Sequence, residues 1–449
     1  MKKSLTIWTL AAACTLGANA QEFESAQSAV NNMRIGWNLG NRLDANSGDV
    51  NNMWIEAWSD RTPSAYETAW GQPVITRELV HMFKEAGFNA MRVPVTWYPH
   101  MGEVTVNVGP NADGNWVGTW DMSAWEGGQV DPVWMARVRE VVDYVIDEDM
   151  YCILNVHHDT GDGSTAWLRA DMDSYEQYHE QFEDLWTQIA TEFKDYDERL
   201  LFEGYNEMLD KHGSWCFASF NGPNNYNAAT ATSAYNAINS YAQSFVNAVR
   251  ATGGNNQQRN LIVNTYGSCS GDGSWNSHLQ DPLKKFVIPT DIEPGHIAAQ
   301  IHYYPSSKSV SEARSSVENL VSIIKKHLFT KGVPVIVGEW GLITSSDTPG
   351  YGDIYCALAD RLVSLCKEEG IGTFKWMGLV DGDDCKVPQW TEPEIKDAMV
   401  RAYYGSTALP SIEEETDADK PYYRIDGTSV SYPSTPGFYI HAHQKFFIY

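Results

Sequence analysis

Positive charge is scarce in this chain: 32 Lys and Arg stand against 58 Asp and Glu, a formal net charge of −26. Nucleic acid and anionic membrane surfaces both reward clustered Lys and Arg, so neither is an expected partner. Long apolar runs are also lacking. The run from Leu5 to Leu16 is too short for a bilayer, and no later one is longer, so no membrane span is expected. Cysteine is sparse, seven in 449 residues, and none has metal-ligand spacing. Cys152 sits within an apolar strand pattern, and Cys356 and Cys366 share a helical one. Cys216 and Cys269 both follow strands and could be bridged across neighbouring loops.

Aromatic residues are plentiful by contrast, with 17 Trp and 23 Tyr. Flat side chains with a polar edge suit ligands that are apolar on their faces and wet at their rims, and sugars are of that kind. The first twenty residues read as an export signal: Lys2 and Lys3, the apolar run, then Ala18-Asn19-Ala20 as a small-residue cleavage site. The expected location is secreted or cell-surface; Cys14 offers a lipoprotein alternative, although Ala11-Ala12-Ala13 before it match that pattern poorly.

Short apolar runs alternate with amphipathic stretches of helical period, the pattern of βα repeats around a parallel sheet. Eight strands are expected, at Arg34–Leu39, Ala90–Val95, Tyr151–Val156, Leu200–Tyr205, Leu261–Thr265, Ile297–Ile301, Val333–Val337 and Gly372–Trp376. The fold class that follows is α/β, a (β/α)8 TIM barrel with a short C-terminal β-tail. Its expected parts are a signal peptide (1–20), the catalytic barrel (21–405), an acidic linker (406–420) and a tail (421–449) of two or three short strands. Two long segments, Asn41 to Trp70 and Tyr98 to Asp131, carry Trp54, Trp58, Trp70, Trp116, Trp120 and Trp125. They read as loops walling a cleft.

In such a barrel, chemistry collects where the strands end. Every expected strand ends in polar or aromatic residues, among them Asn38, Arg92, His157-His158-Asp159, Asn206-Glu207, Tyr266, His302 with Tyr304, Glu339-Trp340 and Trp376. Glycoside hydrolysis needs two carboxyl groups flanking one bond. Glu207 closes the fourth strand and Glu339 the seventh, so the two face each other across the mouth. Arg92 is the cation that would keep Glu339 ionised as nucleophile. Glu207, without a cation beside it in sequence and facing the charge of Glu339, would carry the proton as general acid/base.

The motifs Gly36-Trp-Asn-Leu-Gly-Asn41, Glu67-Thr-Ala-Trp-Gly71, Arg92-Val-Pro-Val-Thr-Trp97, Val156-His-His-Asp159, Phe202-Glu-Gly-Tyr-Asn-Glu207, His302-Tyr-Tyr304 and Gly338-Glu-Trp-Gly341 resemble glycoside hydrolase family 5. The likeness covers about residues 30 to 405 and is greatest to the bacterial endoglucanase and xyloglucanase branch. It implies that Arg92 and Tyr304 orient Glu339, and that Asn206 binds the 2-hydroxyl of the cleaved sugar. It further implies that His157 and His302 line that subsite and that Trp376 forms its floor, with a cis peptide bond to Met377. One departure is Met208, where many relatives have proline.

A metal reading of His157-His158 is disfavoured, because two histidines on one strand face need an alternating spacing and adjacent ones should point apart. His158 is assigned a polar sugar-binding role instead. No cofactor is expected. The expected partner is a polysaccharide, cut internally at β-1,4-glucosidic bonds by a monomer. Xyloglucanase, lichenase, mannanase and xylanase activities, or a non-catalytic binding barrel, are the alternatives. The tail, with Tyr423-Arg-Ile-Asp-Gly427 and Pro436-Gly-Phe-Tyr-Ile440, loosely resembles the C-terminal secretion signals of some gram-negative gut and oral bacteria.

Overall fold

The computed structural model describes residues 22–215, 226–274, 276–379 and 388–405, together with four strands of the tail. Eight parallel strands close into a barrel: Gly36–Asn38, Ala90–Val93, Tyr151–Asn155, Leu200–Glu203, Leu261–Asn264, Ile297–Tyr303, Val335–Trp340 and Gly372–Lys375. All eight expected strands are present, and the first pairs with both the second and the eighth. Helices lie between them. Side chains cap several helix starts: Thr76 accepts from Leu79 N, Asp131 from Val133 N and Ser309 from Glu312 N.

Strand alternation sorts residues into two environments. Outward residues such as Met91, Cys152, Leu154, Phe202 and Val263 join the large apolar layer under the helices. Inward residues at the lower end, including Ala90, Ile153, Leu201, Ile262, Ile336 and Phe374, form a second core that the helix Ala26–Met33 seals. One step higher, the inward positions turn polar: Asn38, Arg92, Asn155, Glu203, Asn264 and Gln300 are all buried. Gly338 makes room for this layer, because a Cβ there would strike the Gln300 amide.

The segment from Tyr98 to Asp131 is more ordered than a loop. It contains an antiparallel hairpin, Val106–Pro110 with Trp116–Trp120, packed on the short helix Trp54–Trp58. A turn at 111–115 that carries Gly and Asn joins the two strands. Trp120 and Trp125 are core residues, the first stacked on Tyr98 and the second edge to face with Trp167, whereas Trp116 is 66% exposed. The tail forms a four-stranded antiparallel sheet of Tyr422–Arg424, Ser429–Val430, Gly437–His441 and Gln444–Ile448, more strands than expected. Cys152 and Cys366 are buried free thiols and Cys356 a half-buried one, the last two on the helix Tyr351–Glu369. Cys14, Cys216 and Cys385 lie outside the described residues, as do the leader and the linker. Among the described residues no helix is long and apolar enough to cross a membrane.

Candidate active site

Arg92, fully buried at the end of the second strand, is the hub of the barrel mouth. Its Nε and Nη2 donate to Glu203 at 2.6 and 2.8 Å, a fork that fixes the guanidinium plane. Nη1 donates to Glu339 Oε1 at 2.8 Å and to Asn38 Oδ1 at 2.9 Å, while Nη2 also reaches Asn206 Oδ1 at 2.7 Å. Burial opposes the charge of Arg92, but Glu203 and Glu339 outweigh it and raise the pKa. Asn38 is held in turn by the carbonyls of Gly338 and Lys375, at 2.9 and 3.2 Å.

The other oxygen of Glu339, Oε2, accepts from the Tyr304 hydroxyl at 2.8 Å. His302 Nδ1 stands between the two acids, 2.7 Å from Glu207 Oε1 and 3.4 Å from Glu339 Oε2. An oxygen of Glu207 and an oxygen of Glu339 lie within 4.8 Å of each other. That matches the separation of about 5 Å in retaining glycosidases and leaves no room for the water that inverting enzymes hold between their acids. The Glu207 side chain is 20% exposed and that of Glu339 only 6%, so the former has more freedom to meet an incoming leaving group.

Burial raises the pKa of Glu207 to about 7; the charges of Asp162 and Glu203 add to the rise, and those of His158 and Arg92 oppose it. Burial is therefore the main cause, rather than the charge of Glu339. Glu339 is also raised by burial, but His302, Arg92 and the Tyr304 hydroxyl resist the shift. The environments differ as acid/base and nucleophile roles require. Burial lowers His302 to about 4, so its imidazole is neutral near pH 7.

A cavity of about 600 Å³ opens onto this constellation, with Glu207, Glu339, Asn206, His157, His158, His302, Tyr304 and Trp376 in its wall. Of the expected substrate-binding and supporting residues, all but Asn38 and Arg92 line it; Arg92 sits directly behind Glu339, with Asn38 bonded to it. Trp376 is half-buried with its ring parallel to His157 at 5.6 Å. Gly40 lies against it: a Cβ there would come within 2.8 Å of the indole. None of the tryptophans expected to wall the cleft lines the cavity; Trp70 reaches its rim, edge-on to His158. Trp215 and Ile343 line it instead. They follow the fourth and seventh strands, beyond the catalytic motifs, with no local signal to distinguish them.

Two expectations are corrected. The Trp376–Met377 bond is trans, as are all peptide bonds among the described residues. The carbonyls of Trp376 and Met377 both accept from Lys375 Nζ at 3.0 Å. His157 and His158 do not point apart either. Their rings meet edge to face with centroids 4.5 Å apart, and a nitrogen of each lies within 4.8 Å of an Asp44 oxygen. Both residues follow the last strand position, Asn155, where alternation no longer governs direction. The two ring nitrogens of His157 face the Asn155 and Asn206 amides at 3.0 and 3.3 Å, so this residue is already engaged in hydrogen bonding. His158 is drawn toward Asp44, 3.6 Å away, and its pKa is raised although burial opposes the charge.

Glu203 is the functional residue that sequence reasoning missed. Its signal was present: an acid inside the apolar run Leu200-Leu-Phe-Glu203, on the inward face, must be paired when buried. Asp159 performs a supporting task, accepting from the Trp97 and Tyr98 amides at 2.8 Å and from the Trp167 indole at 2.7 Å. It thereby ties the turn after the second strand to the cavity wall.

Comparison with known proteins agrees with this geometry. Residues 50–379 match the model of the cellulase family, glycosyl hydrolase family 5. The chain is 30% identical over 431 residues to Endoglucanase A of Clostridium longisporum, covering 90% of this chain and 70% of that protein. It is also 30% identical to Endoglucanase A of Ruminococcus albus, covering 84% and 92%. Among solved structures, a GH5-4 broad specificity endoglucanase from an uncultured bacterium is 47% identical with a TM-score of 0.75, covering 86% of this chain and 98% of that one. A family 5 enzyme from Prevotella bryantii, solved with a xyloglucan tetradecasaccharide, is 39% identical with a TM-score of 0.68, covering 85% and 99%. The chain belongs to glycoside hydrolase family 5.

Proposed function

We propose that this family 5 glycosidase is an endo-acting, retaining β-1,4-glucanase with Glu339 as nucleophile and Glu207 as general acid/base. The observation that carries the assignment is the pair of facing carboxyl oxygens less than 5 Å apart, one backed by Arg92 and Tyr304 and the other raised by burial to about pKa 7.

In the first step a Glu339 oxygen attacks the anomeric carbon. The glycosidic C–O bond breaks, and the proton of Glu207 goes to the departing oxygen, leaving a glycosyl ester on Glu339. In the second step Glu207 takes a proton from water, whose oxygen bonds to the anomeric carbon as the ester bond breaks. Arg92 and Tyr304 stabilise the carboxylate that leaves, without reorganisation, because Glu203, Asn38 and Asn206 already hold the guanidinium. His302 sits where it can follow the charge of Glu207: a neutral imidazole donates from Nδ1 to the carboxylate, or accepts there from the protonated acid. Asn206 and His157 are placed to bind hydroxyls of the sugar being cleaved, and Trp376 to lie beneath it. His158 lines the same cavity.

A cellulose-type or related plant β-glucan is the proposed substrate class. The similarity to a broad specificity endoglucanase and to an enzyme crystallised with xyloglucan favours tolerance of branched glucans. The enzyme is proposed to act as an exported monomer, supported by the basic and apolar leader before Gln21 and by the excess of acidic residues.

Reducing-end release from carboxymethylcellulose, mixed-linkage glucan, xyloglucan, mannan and xylan, with product sizing, tests the substrate class. Proton NMR in the first minutes tests the stereochemistry. The β-anomer should appear first and shorter internal fragments should accumulate; early α-anomer would overturn the assignment.

A further inference from the structure

Lys375 is a buried cation that the chemistry above leaves unused. It ends the eighth strand, one residue before Trp376, and is only 2% exposed. Its neighbour Phe374 packs inside the barrel, so alternation turns Lys375 outward, behind the site. Nζ lies 5.8 Å from the centroid of the Trp340 ring and 5.0 Å from that of Tyr355, with Glu392 Oε2 3.8 Å away. Its two hydrogen bonds, to the carbonyls of Trp376 and Met377, curl the chain around the ammonium. The turn is tight: Gly378 has φ +75°, and a Cβ there would stand 3.3 Å from Nζ.

A purely space-filling role would not require a charge here. Desolvating an ammonium is costly, and an apolar side chain of similar volume fills such a site at least as well. Burial has lowered the Lys375 pKa to about 8, with Glu392 opposing the shift. What the ammonium provides beyond packing is direction. Two successive carbonyls aimed at one donor fix the peptide plane after Trp376. The Trp376 amide is fixed as well, donating to Trp340 O at 3.0 Å. The same residue touches the nucleophile's support, since the Lys375 carbonyl accepts from Asn38, which holds Arg92.

We infer that Lys375 is a positioning residue that acts through Trp376: its ammonium fixes the backbone that sets the plane of the indole beneath the cleaved sugar. This rests on the floor role proposed for Trp376. A charge behind the platform, rather than a contact with substrate, then controls how well the sugar is presented to Glu339.

A double-mutant cycle separates this from simple stabilisation. kcat and KM on soluble β-glucan are measured for wild type, Lys375→Met, Trp376→Ala and the double variant, with a thermal melt of each. Lys375→Met should lower kcat/KM about tenfold in the wild-type background and less than about twofold once Trp376 is gone. Equal losses in both backgrounds, or an unchanged kcat/KM in Lys375→Met, overturn the inference while leaving the platform standing. Unchanged kcat/KM in Trp376→Ala removes the platform and the inference together. If Lys375→Met does not fold, Lys375→Gln, whose uncharged amide nitrogen falls one bond short of the ammonium's position, enters the cycle with the same two outcomes.

Discussion

Arg92 and Glu203 share two hydrogen bonds of 2.6 and 2.8 Å in the closed interior of the barrel, where neither side chain meets solvent. This fork leaves the far edge of the guanidinium, Nη1, aimed at Glu339. One cation thus serves two anions. Glu203 holds the charge in place, so that in the proposed mechanism Glu339 gives up its own charge on forming an ester without leaving Arg92 unpaired.

Glu203→Ala should therefore be more damaging than its distance from the sugar suggests. Breaking a buried pair costs about 3–5 kcal/mol, to be read as a lower denaturation midpoint. Even under conditions where the variant is folded, kcat should fall, because Arg92 is free to turn from Glu339. A stable variant with wild-type kcat would refute the supporting role.

Glu339→Gln and Glu207→Gln should both abolish most activity on polysaccharide, but they should differ on activated aryl glycosides. General acid catalysis contributes about 10²–10⁴-fold, and a good leaving group needs little of it. Glu207→Gln should recover bond cleavage on a dinitrophenyl glycoside, measured as a burst of phenolate, whereas Glu339→Gln should not. The reverse pattern would exchange the two roles.

The pH dependence follows from Glu207. The proposed first step uses the acid form of Glu207, so kcat/KM should decline as pH rises through about 7. Stability carries the same group with a definite sign. Between the ordinary carboxyl value of 4.5 and about 7, the folded chain keeps a proton there that the unfolded chain has lost. This contribution makes the fold less stable as pH rises across that window. Urea titrations at pH 5 and 7 should show a smaller difference for Glu207→Gln than for wild type.

Gly40→Ala tests the floor of the site with a single methyl group. Its Cβ would come within 2.8 Å of the Trp376 indole, closer than van der Waals contact allows. The ring must tilt, so kcat/KM should drop about tenfold or more, with a change in stability of about 1–3 kcal/mol. Unaltered kinetics would mean that the indole position does not govern catalysis.

Much of this site was legible in the chain. The eight apolar runs and the polar residues at their ends are local features, and these runs alone place Arg92 and Glu339 at strand ends and Glu207 just beyond one. Glu203 was half legible, as an acid on the inward face of an apolar strand. The alternation rule that predicted diverging rings for His157 and His158 failed for a local reason, because the strand stops at Asn155. The Trp120 and Trp125 rings became core for a nonlocal one: the end of the hairpin and the turn after it fold back onto Tyr98 and Trp167.

Residue order by itself determined the repeat, the identity of the acids and the face each strand turns inward, since these depend on neighbours along the chain. Tertiary structure alone decided that two acids 132 positions apart in number approach within 4.8 Å, and that burial lifts one of them to about pKa 7. It also decided that the ammonium of Lys375, behind the eighth strand, donates to the carbonyls of Trp376 and Met377. Distance, dielectric and the aim of a donor are set by how the barrel closes, a property of all eight strands that no single stretch encodes.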